Sequence, residues 1–387
     1  MPIKNRFSDL HDEIKSWRHS LHEKPELLYD TIETASFVEN KLKEFRCDSV
    51  VTGIGRTGVI GVIKGKKTNS GSVVGLRADM DALPIQEKTG LEYSSKTPGI
   101  MHACGHDGHT AMLLGAAKYL SETRNFDGTV VVIFQPAEEG GAGAKAMIDD
   151  GLIDKFEIQE VYGMHNMPGL PLGEFSLREG DFFAAADTFC ISIIGKGGHA
   201  AKPHQAIDPV VIGSNLVMAL QTIASRKVDP IETLVISVCT FQTESDSFNV
   251  IPDSVILKGT VRTFSNEVRE YAKKSIEKVA KLTAESHGAS IKIEYNIGYP
   301  VMSNTVDETD FARRVAEHVS GKDIICAEKV MGAEDFSYML NCTKGAYILI
   351  GNGESSDVHS PNYVFDDNAI PFGSSYWVEL IERRMQL

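Results

Sequence analysis

Two stretches of the 387-residue sequence, VVGLRADMDALP at Val73–Pro84 and TVVVIFQPAEEG at Thr129–Gly140, run from apolar residues directly into carboxylates. The apolar part of each stretch is short and rich in β-branched residues, which is typical of a buried strand. Between them lies the helix-like stretch His109–Leu120. Strands that alternate with helices predict a mainly parallel sheet with helices on both faces, so the predicted fold class is α/β.

The same alternation continues toward the start of the chain. Apolar residues recur at helical intervals in Phe7–Leu21 and Thr31–Phe45, which predicts two amphipathic helices. The run GIGRTG at Gly53–Gly58 matches the GxGxxG pattern of dinucleotide-binding loops, but a β-like run follows it instead of a helix. We therefore predict a hairpin turn there, between strands at Ser49–Thr52 and Val59–Ile63.

A different pattern occupies residues 187–297. Its elements follow the order β-α-β-β-α-β, with helices at Pro209–Ile223 and Glu267–His287, which is typical of a compact α+β unit. A chain of this length also exceeds what one hydrophobic core usually serves. We therefore predict two domains: an α/β domain formed by residues 1–186 and 298–387, and an α+β domain inserted between them.

Composition and charge exclude several classes of protein. The sequence is 42% hydrophobic and 24% charged, which is an ordinary composition for a globular protein. Its formal net charge of -14 repels nucleic acids and anionic membranes. No apolar run reaches the roughly 20 residues of a membrane helix, and the start lacks the apolar core of a signal peptide. We therefore expect a cytoplasmic protein that binds neither nucleic acid nor membranes.

Side chains that can bind metals follow several predicted strands. They are Asp79, Asp81, His102, Cys104, His106, Asp107, His109, Glu138, Glu139, His165 and His359. A single histidine at a strand end is more often structural than a ligand, and an adjacent pair of glutamates is usually the start of a helix. For His102 and His109 we keep that structural interpretation. Together, however, these groups at the carboxyl ends of strands predict a metal centre, because open α/β sheets bind ligands there.

The donor atoms restrict the metal. Thiolate, imidazole and carboxylate together favour Zn²⁺, while Mn²⁺, Co²⁺ or Ni²⁺ would also fit. The candidates outnumber the ligands of one structural tetrahedral site, which predicts two divalent ions with a shared bridge and a position open for water. The sequence has no HExxH, GxSxG or GxxxxGK[ST] motif, so zincin, serine hydrolase and P-loop interpretations are excluded on motif grounds.

Nine motifs in order along the chain resemble the M20 family of metallopeptidase-like amidohydrolases, in its hippurate hydrolase, N-acyl-L-amino acid amidohydrolase and indoleacetyl-amino acid hydrolase branch. They are RADMDALP, MHACGHDGHT, FQPAEEG, GMHNMP, GKGGHAAKPH, FNVIPD, GTVRTF, GAEDF and VHSPNYVF. The resemblance implies that the α/β domain carries two divalent ions. It also implies that residues 187–297 form a ferredoxin-like lid domain, through which the chain forms a homodimer or homotetramer.

The motifs of the family also imply roles for single residues in the α/β domain. The implied metal ligands are Cys104, His106, Glu139, His165 and His359. Cys104 would bridge the two ions, and Glu138 would be the general base. In relatives outside this branch an HxD motif supplies another ligand, whereas Asp79 and Asp81 occupy that stretch here. We expect both aspartates to orient other groups.

In the inserted domain the resemblance implies three residues that contact the substrate. His199 in GKGGHAAKPH would stabilise the oxyanion, either in its own subunit or in a neighbouring one. Asn249 would bind the substrate, and Arg262 would hold its carboxylate. These roles, unlike the metal centre, are not indicated by the residue pattern alone.

The predicted function is that of an enzyme that hydrolyses the amide bond of N-acyl amino acids, either hippurate-like or N-acetylated. A dipeptidase or an N-acetyl-diaminopimelate deacetylase of the same family remains an alternative, since it differs in recognising a free amine or a second carboxylate. A catalytically silent metal-binding scaffold is the alternative from another class. Because Glu138 is present together with every implied ligand, we favour the enzyme.

Some positions depart from the residues that are usual in the family. Leu28 stands where the family often has glycine, and Asp181 and Phe183 stand where proline and methionine are commoner. The last two precede the inserted domain, near the expected acyl group. Phe182 and Phe183 either line an aromatic acyl pocket or pack in the core, and the sequence leaves both interpretations open.

Overall fold

The computed structural model describes residues 4–387, which divide into two compact units. Unit 1 consists of the residues up to Phe182, Ser303–Glu328 and Asp335–Leu387, and unit 2 consists of Phe183–Met302 and Lys329–Glu334. The predicted insertion at residues 187–297 lies within the long segment of unit 2. The segment 329–334, which the sequence analysis left in the α/β domain, belongs to unit 2 as well. None of the helices in residues 4–387 is long and apolar enough to span a membrane.

The strands are, in chain order, β1 (Ser49–Ile54), β2 (Gly58–Lys64), β3 (Val73–Asp79), β4 (Thr129–Gln135), β5 (Glu160–Met167), β6 (Phe175–Leu177), β7 (Gly180–Phe183), β8 (Ala185–Ile194), β9 (Gly198–His199), β10 (Leu234–Thr243), β11 (Val250–Ile251), β12 (Ser254–Thr263), β13 (Ser290–Ile297), β14 (Met302–Asn304), β15 (Ile325–Cys326) and β16 (Lys344–Gly351). The α-helices are α1 (Asn5–His22), α2 (Ile32–Glu44), α3 (His106–Thr123), α4 (Gly143–Asp149), α5 (Leu152–Lys155), α6 (Pro209–Lys227), α7 (Asn266–Ser286), α8 (Val306–Ser320), α9 (Ser337–Leu340) and α10 (Ile370–Arg384). Short 3₁₀ helices occur at Pro203–Gln205 and Asp367–Ala369.

Unit 1 is built on an eight-stranded sheet in the order β1-β2-β4-β3-β5-β16-β6-β15. Its four central strands, β4, β3, β5 and β16, are parallel to their neighbours within that group. Antiparallel pairs flank this group, with β2 beside β4 and β6 beside β16. The prediction of a mainly parallel α/β sheet is therefore confirmed. The central strands all point their carboxyl ends toward the same edge of the sheet.

The core of unit 1 forms because its central elements are apolar along most of their length. Every residue of β3 is buried, and α3 is buried along nearly its whole length. Helices α1 and α10 pack against α3. Gly115 makes the contact with α1 possible, because a Cβ atom there would lie 2.7 Å from Cδ1 of Ile14. This packing fixes α3, whose first residue is His106.

The GIGRTG segment forms the hairpin that the sequence predicts. Strands β1 and β2 pair in antiparallel fashion on either side of it. Gly53 and Gly55 in the turn have positive φ angles of 82° and 64°, a conformation that glycine adopts without steric cost. The segment is therefore a turn between paired strands and not a dinucleotide-binding loop.

Unit 2 contains a four-stranded antiparallel sheet in the order β10-β12-β8-β13. In chain order its main elements are β8, α6, β10, β12, α7 and β13, so the predicted β-α-β-β-α-β pattern is confirmed and has the strand order of a ferredoxin-like fold. Asp208 accepts a hydrogen bond from the backbone N–H of Val210 and caps α6, and Ser265 caps α7. Both helices pack their apolar residues against the sheet.

Candidate metal centre

The five predicted metal ligands all lie in unit 1, at the ends of neighbouring elements. Cys104 lies in the loop before α3, His106 begins α3, Glu139 follows β4, His165 lies near the end of β5, and His359 follows β16. Strands β4, β3, β5 and β16 are adjacent in the sheet, so their carboxyl ends meet. The fold thereby brings together side chains that are up to 255 positions apart in the sequence.

The ligand atoms form two groups that share one residue. The donor atoms of Cys104, His106 and His165 lie within 4.8 Å of one another, and so do those of Cys104, Glu139 and His359. Cys104 is therefore the common member. The family resemblance implies a bridging role for this same residue.

The distances within these groups suit metal coordination. Sγ of Cys104 lies 3.3 Å from Nε2 of His165, and Nε2 of His359 lies 3.4 Å from Oε1 of Glu139. Two ligands on one tetrahedral zinc ion are about 3.5 Å apart, given the usual bond lengths. Nε2 of His106 is buried and has no hydrogen-bond partner within residues 4–387, as expected of an atom that binds a cation.

Two of the imidazole rings are oriented by main-chain carbonyl groups. Nδ1 of His106 donates to the carbonyl oxygen of Asp81 at 2.8 Å, and Nδ1 of His165 donates to that of Asn166 at 2.7 Å. Each ring therefore turns Nε2 toward the cluster, and in its neutral form it carries the proton on Nδ1 and the lone pair on Nε2. This is the arrangement in which histidine binds metals.

The electrostatics of the cluster favour a cation. Burial, together with the nearby Glu139 and Glu138, raises the pKa of Cys104 well above its usual value. Burial disfavours a charged His106, but Asp79 and the contact with Asp81 outweigh that effect and raise the pKa of His106 to about 10. A divalent cation would offset the negative charge of the carboxylates that contribute to both shifts.

The two adjacent glutamates are presented by a strained loop. Ala137 immediately precedes them with a positive φ of 55°, a conformation that costs a non-glycine residue about 1–2 kcal/mol. The carboxylate of Asp81 accepts hydrogen bonds from the backbone N–H groups of Glu138 and Glu139, at 2.9 and 3.0 Å. Asp81 thus holds this loop, and Glu138 is 7% exposed beside the ligand atoms of His106 and Glu139.

His109 and His102, for which the sequence favoured structural roles, differ in their contacts. Nδ1 of His109 donates to Asp79 at 2.7 Å, and its Nε2 accepts from the backbone N–H of Asn166 at 2.9 Å, so both ring nitrogens are engaged. The ring of His102 is buried, and in the described part of the chain neither of its nitrogens has a hydrogen-bond partner. Burial lowers the pKa of His102 to about 3.

Sequence reasoning missed two residues of this site, Asn166 and Tyr363. Both are buried, and the hydroxyl of Tyr363 donates to Oδ1 of Asn166 at 2.7 Å. Both also stand inside quoted motifs, next to His165 and four residues after His359. A polar residue beside a candidate ligand was the available signal, but the sequence does not reveal its contacts.

The predicted substrate residues His199 and Asn249 are neighbours in unit 2. His199 in β9 pairs with Val250 in β11, and the backbone N–H of Ala200 donates to the carbonyl oxygen of Asn249 at 3.0 Å. Both His199 and Asn249 are exposed. The short ribbon of β9 and β11 therefore presents the two side chains to solvent.

Arg262 lies far from that ribbon within unit 2. It pairs with Ala186 near one end of β12, whereas Ser254 pairs with Ile194 at the other end. The strand rise separates these two ends of β12 by about 25 Å, and Asn249 precedes the Ser254 end in the chain. The structure thus brings His199 and Asn249 together but does not bring Arg262 to them within unit 2.

The two phenylalanines near the start of the inserted segment differ in burial. Phe182 is fully buried at 0% exposure, which supports the core-packing interpretation for this residue. Phe183 is partly buried and forms an isolated parallel bridge with Val330. Phe183 thus remains a candidate for contact with an acyl group.

Comparisons with known proteins agree with the resemblance in the motifs. The model of peptidase family M20/M25/M40 matches residues 75–383. The chain is 44% identical over 375 residues to hippurate hydrolase of Campylobacter jejuni, which covers 96% of each chain. It is 40% identical over 377 residues to N-acetyl-L-cysteine deacetylase of Bacillus subtilis, covering 97% of this chain and 89% of the relative.

The solved structures give the same result. A Bacillus subtilis protein described as a dinuclear metal binding peptidase of the M20 family has a TM-score of 0.84 to this chain and is 34% identical to it. The match covers 98% of this chain and 99% of that protein. The similarity therefore extends over both units and includes the segments that carry the five candidate ligands.

Proposed function

Because the chain belongs to peptidase family M20/M25/M40 and is a hydrolase of amide bonds, we propose that it cleaves N-acyl amino acids with the help of two divalent cations. The products are a carboxylic acid and a free amino acid. The hippurate hydrolase and the N-acetyl-L-cysteine deacetylase, both at least 40% identical, support this class of substrate.

One observation carries the proposal: Cys104 is common to two groups of ligand atoms, and Glu138 lies beside them. A site with a single structural ion would not need five donor residues, of which one is shared. In the proposed centre Cys104 would be the ligand common to both groups, with His106 and His165 in one group and Glu139 and His359 in the other. The soft thiolate and the imidazoles favour Zn²⁺, while Mn²⁺, Co²⁺ or Ni²⁺ also fit the donor set.

Glu138 is the proposed general base. Divalent cations bound at this site supply Lewis acidity, which polarises the amide carbonyl and makes water a better acid. The carboxylate of Glu138 accepts the proton of the attacking water and then delivers it to the departing nitrogen. Asp81 fixes the backbone at both Glu138 and Glu139, because its carboxylate accepts hydrogen bonds from the N–H groups of both residues.

Arg262 is the proposed partner of the substrate carboxylate. Its guanidinium is partly buried, contacts the hydroxyl of Thr260 and donates to the carbonyl oxygen of Val261 at 3.1 Å. Among residues 4–387 the carboxylate of Asp187 attracts it, but Asp187 forms its ion pair with Arg269. A partly buried guanidinium of this kind favours a carboxylate ligand, and an N-acyl amino acid carries one.

His199 and Asn249 are proposed to contact the same substrate from a second subunit. Asn249 precedes the Ser254 end of β12, which lies about 25 Å along the strand from Arg262, and a single N-acyl amino acid is much shorter than that. If all three residues contact one substrate, Arg262 and the pair His199–Asn249 come from different copies of the chain. This argument supports a homodimer, or a homotetramer that contains such dimers, with His199 acting on the neighbouring subunit.

The cysteines support a cytoplasmic location. All six cysteines are free thiols. Cys104 is buried, and Cys47 is partly buried. Proteins of reducing compartments keep their thiols unpaired. We therefore retain the cytoplasm as the proposed location.

A substrate panel tests the proposed function. The purified protein, loaded with Zn²⁺ or with Mn²⁺, is assayed on hippurate, N-acetyl amino acids that include N-acetylcysteine, and dipeptides with a free amine. We expect turnover of the acylated compounds, and its loss when a chelator removes the metal. Cleavage of the dipeptides alone would overturn the proposal in favour of a dipeptidase.

Mixed dimers test the role of His199. Glu138→Gln and His199→Ala chains are each inactive by expectation, and they are mixed under conditions that exchange subunits. If His199 acts across the dimer, one site of each mixed dimer is intact, and activity returns to about a quarter of wild type in a random mixture of symmetric dimers. If mixing restores nothing although exchange has occurred, His199 does not act on the neighbouring subunit.

A further inference from the structure

The side chain of Asn166 joins segments of unit 1 that carry candidate ligands. It directly follows His165 and is 1% exposed. Its Nδ2 donates to the carbonyl oxygen of Cys104 at 2.6 Å and lies 3.1 Å from Nε2 of His109. Its Oδ1 accepts from the hydroxyl of Tyr363 at 2.7 Å. The contacts therefore reach the loop before α3, helix α3 itself and the late loop that holds His359.

Both ends of the Asn166 amide are engaged in contacts within unit 1. Nδ2 contacts the carbonyl oxygen of Cys104 and Nε2 of His109, and Oδ1 accepts from the hydroxyl of Tyr363. Loss of such a buried amide would leave the opposing groups unsatisfied. The main chain of Asn166 also takes part, because its carbonyl oxygen accepts from Nδ1 of His165 at 2.7 Å. One residue thus holds Cys104 through its side chain and His165 through its backbone.

Gly105 makes the approach of Asn166 to this loop possible. A Cβ atom on Gly105 would lie 2.3 Å from Nδ2 of Asn166 and 2.5 Å from the hydroxyl of Tyr363. Gly105 also has a positive φ of 85°. The loop therefore contains a flexible residue directly after Cys104, and the hydrogen bond from Asn166 restrains the backbone at that point.

We propose that Asn166 is a positioning residue that holds Cys104 in the geometry required of the ligand shared by both ions. This inference rests on the proposed function, because it concerns the same centre. Sγ of Cys104 already lies 3.3 Å from Nε2 of His165, and both residues are anchored on Asn166. Without the side-chain contact, the thiolate would remain near His165 but would no longer be fixed between the two groups of ligands.

Cobalt substitution provides a readout that a purely structural role would not change. Co²⁺ fits the donor set, and a cobalt-bound thiolate gives a charge-transfer absorption in the near ultraviolet. The band is recorded during titration of the metal-free protein with Co²⁺, alongside the binding isotherm. Wild type, Asn166→Ala, Asn166→Asp and Tyr363→Phe are compared. Asn166→Asp keeps the shape of the side chain but replaces its N–H donors by oxygen.

We expect Asn166→Ala and Asn166→Asp to bind Co²⁺ about 10–100-fold more weakly at one of the two sites and to lose intensity in the thiolate band, as outer contacts of a metal site usually do. Tyr363→Phe removes the hydroxyl that donates to Oδ1 of Asn166 but keeps the Nδ2 donor to Cys104. Its losses of Co²⁺ affinity and band intensity should therefore be smaller than those of Asn166→Ala. Far-ultraviolet circular dichroism checks that each variant is folded.

Three outcomes would overturn the inference. Wild-type affinity and band intensity in folded Asn166→Ala and Asn166→Asp would show that the amide does not position Cys104. If neither variant folds, the amide serves folding and not the metal centre. If wild type itself shows no thiolate band on saturation with Co²⁺, the proposed metal centre fails, and that result is distinguishable because it appears before any substitution.

Discussion

The metal cluster of unit 1 and the His199–Asn249 ribbon of unit 2 represent two ways of building a candidate site. In the cluster, Cys104 and His106 are buried, Glu139 and His165 are partly buried, and only His359 is exposed. Hydrogen bonds to the carbonyl oxygens of Asp81 and Asn166 orient the rings of His106 and His165. In the ribbon, both side chains are exposed. Contacts within unit 1 hold the side chains of the metal cluster in place, whereas the side chains of the ribbon are open to solvent.

This difference has a thermodynamic consequence. Substitution of a buried, hydrogen-bonded group leaves partners unsatisfied and affects folding as well as chemistry. Substitution of an exposed group usually changes stability by less than about 0.5 kcal/mol. The two regions should therefore respond differently when the same kinds of residue are removed.

The largest effect is expected for Glu138→Gln in the buried cluster. Glutamine keeps the size of the side chain but cannot accept the proton of water, so kcat should fall by a factor of about 100–10,000 or more. The ligands are unchanged, and metal content measured by elemental analysis should equal that of wild type. Unchanged turnover would remove Glu138 from its assigned role.

His199→Ala tests the exposed ribbon. If His199 stabilises the oxyanion, kcat should fall by about 100–1,000-fold, the usual effect of removing one such donor. Metal content and unfolding temperature should stay at wild-type values, because the side chain is exposed. His204→Ala is the matched control, since His204 is an exposed histidine of the same motif. Equal losses in both variants would contradict a specific role for His199.

The fold was predictable where local pattern determines it. Buried strands such as β3 and β4 are apolar and β-branched, and α1 and α2 repeat apolar residues at helical intervals. The candidate ligands were also predictable as a set, because thiol, imidazole and carboxylate groups follow the strands that form the centre of the sheet. The bridging role of Cys104 was implied by the resemblance and not by spacing.

The remaining features depend on contacts between distant parts of the chain. The segment Lys329–Glu334 joins unit 2 because the backbone N–H of Ala184 donates to the carbonyl oxygens of Val330 and Gly332, both at 3.0 Å. No local pattern reveals such a pairing across about 145 residues. The contacts of Asn166 with Cys104 and Tyr363 were hidden for the same reason.

His22 tests how strongly charge within unit 1 contributes to stability. It is 2% exposed, and its Nδ1 lies 2.8 Å from Oδ2 of Asp107. Burial disfavours its charged form, but Asp107 and Glu87 outweigh that effect and raise the pKa of His22 from 6.5 to about 9. The charged and titratable groups around it are Asp107, Glu87, Arg18, Tyr93 and His102.

Since the folded state raises this pKa, the ionised His22 stabilises the protein fully below about pH 6.5, and the effect is lost as the pH rises through about 9. The shift corresponds to a contribution on the order of 3 kcal/mol. Denaturant unfolding of His22→Gln should therefore show a large loss of stability near pH 6 and a small one above about pH 9. His204→Gln, at an exposed position of unit 2, should show no such pH dependence.

The smallest effect is expected at Leu28, where unit 1 contains strain outside the metal cluster. Leu28 has a positive φ of 48° and is 38% exposed, in a turn closed by the hydrogen bond from the N–H of Asp30 to the carbonyl oxygen of Leu27. A left-handed conformation costs a residue with a Cβ atom about 1–2 kcal/mol, while glycine adds about 0.4–1 kcal/mol of entropy to the unfolded chain. Leu28→Gly should therefore raise the free energy of unfolding by up to about 1 kcal/mol, and Leu28→Ala, which keeps the Cβ atom, should not. A clear loss of stability in Leu28→Gly would mean that contacts of the leucine side chain stabilise the folded state by more than the backbone strain destabilises it.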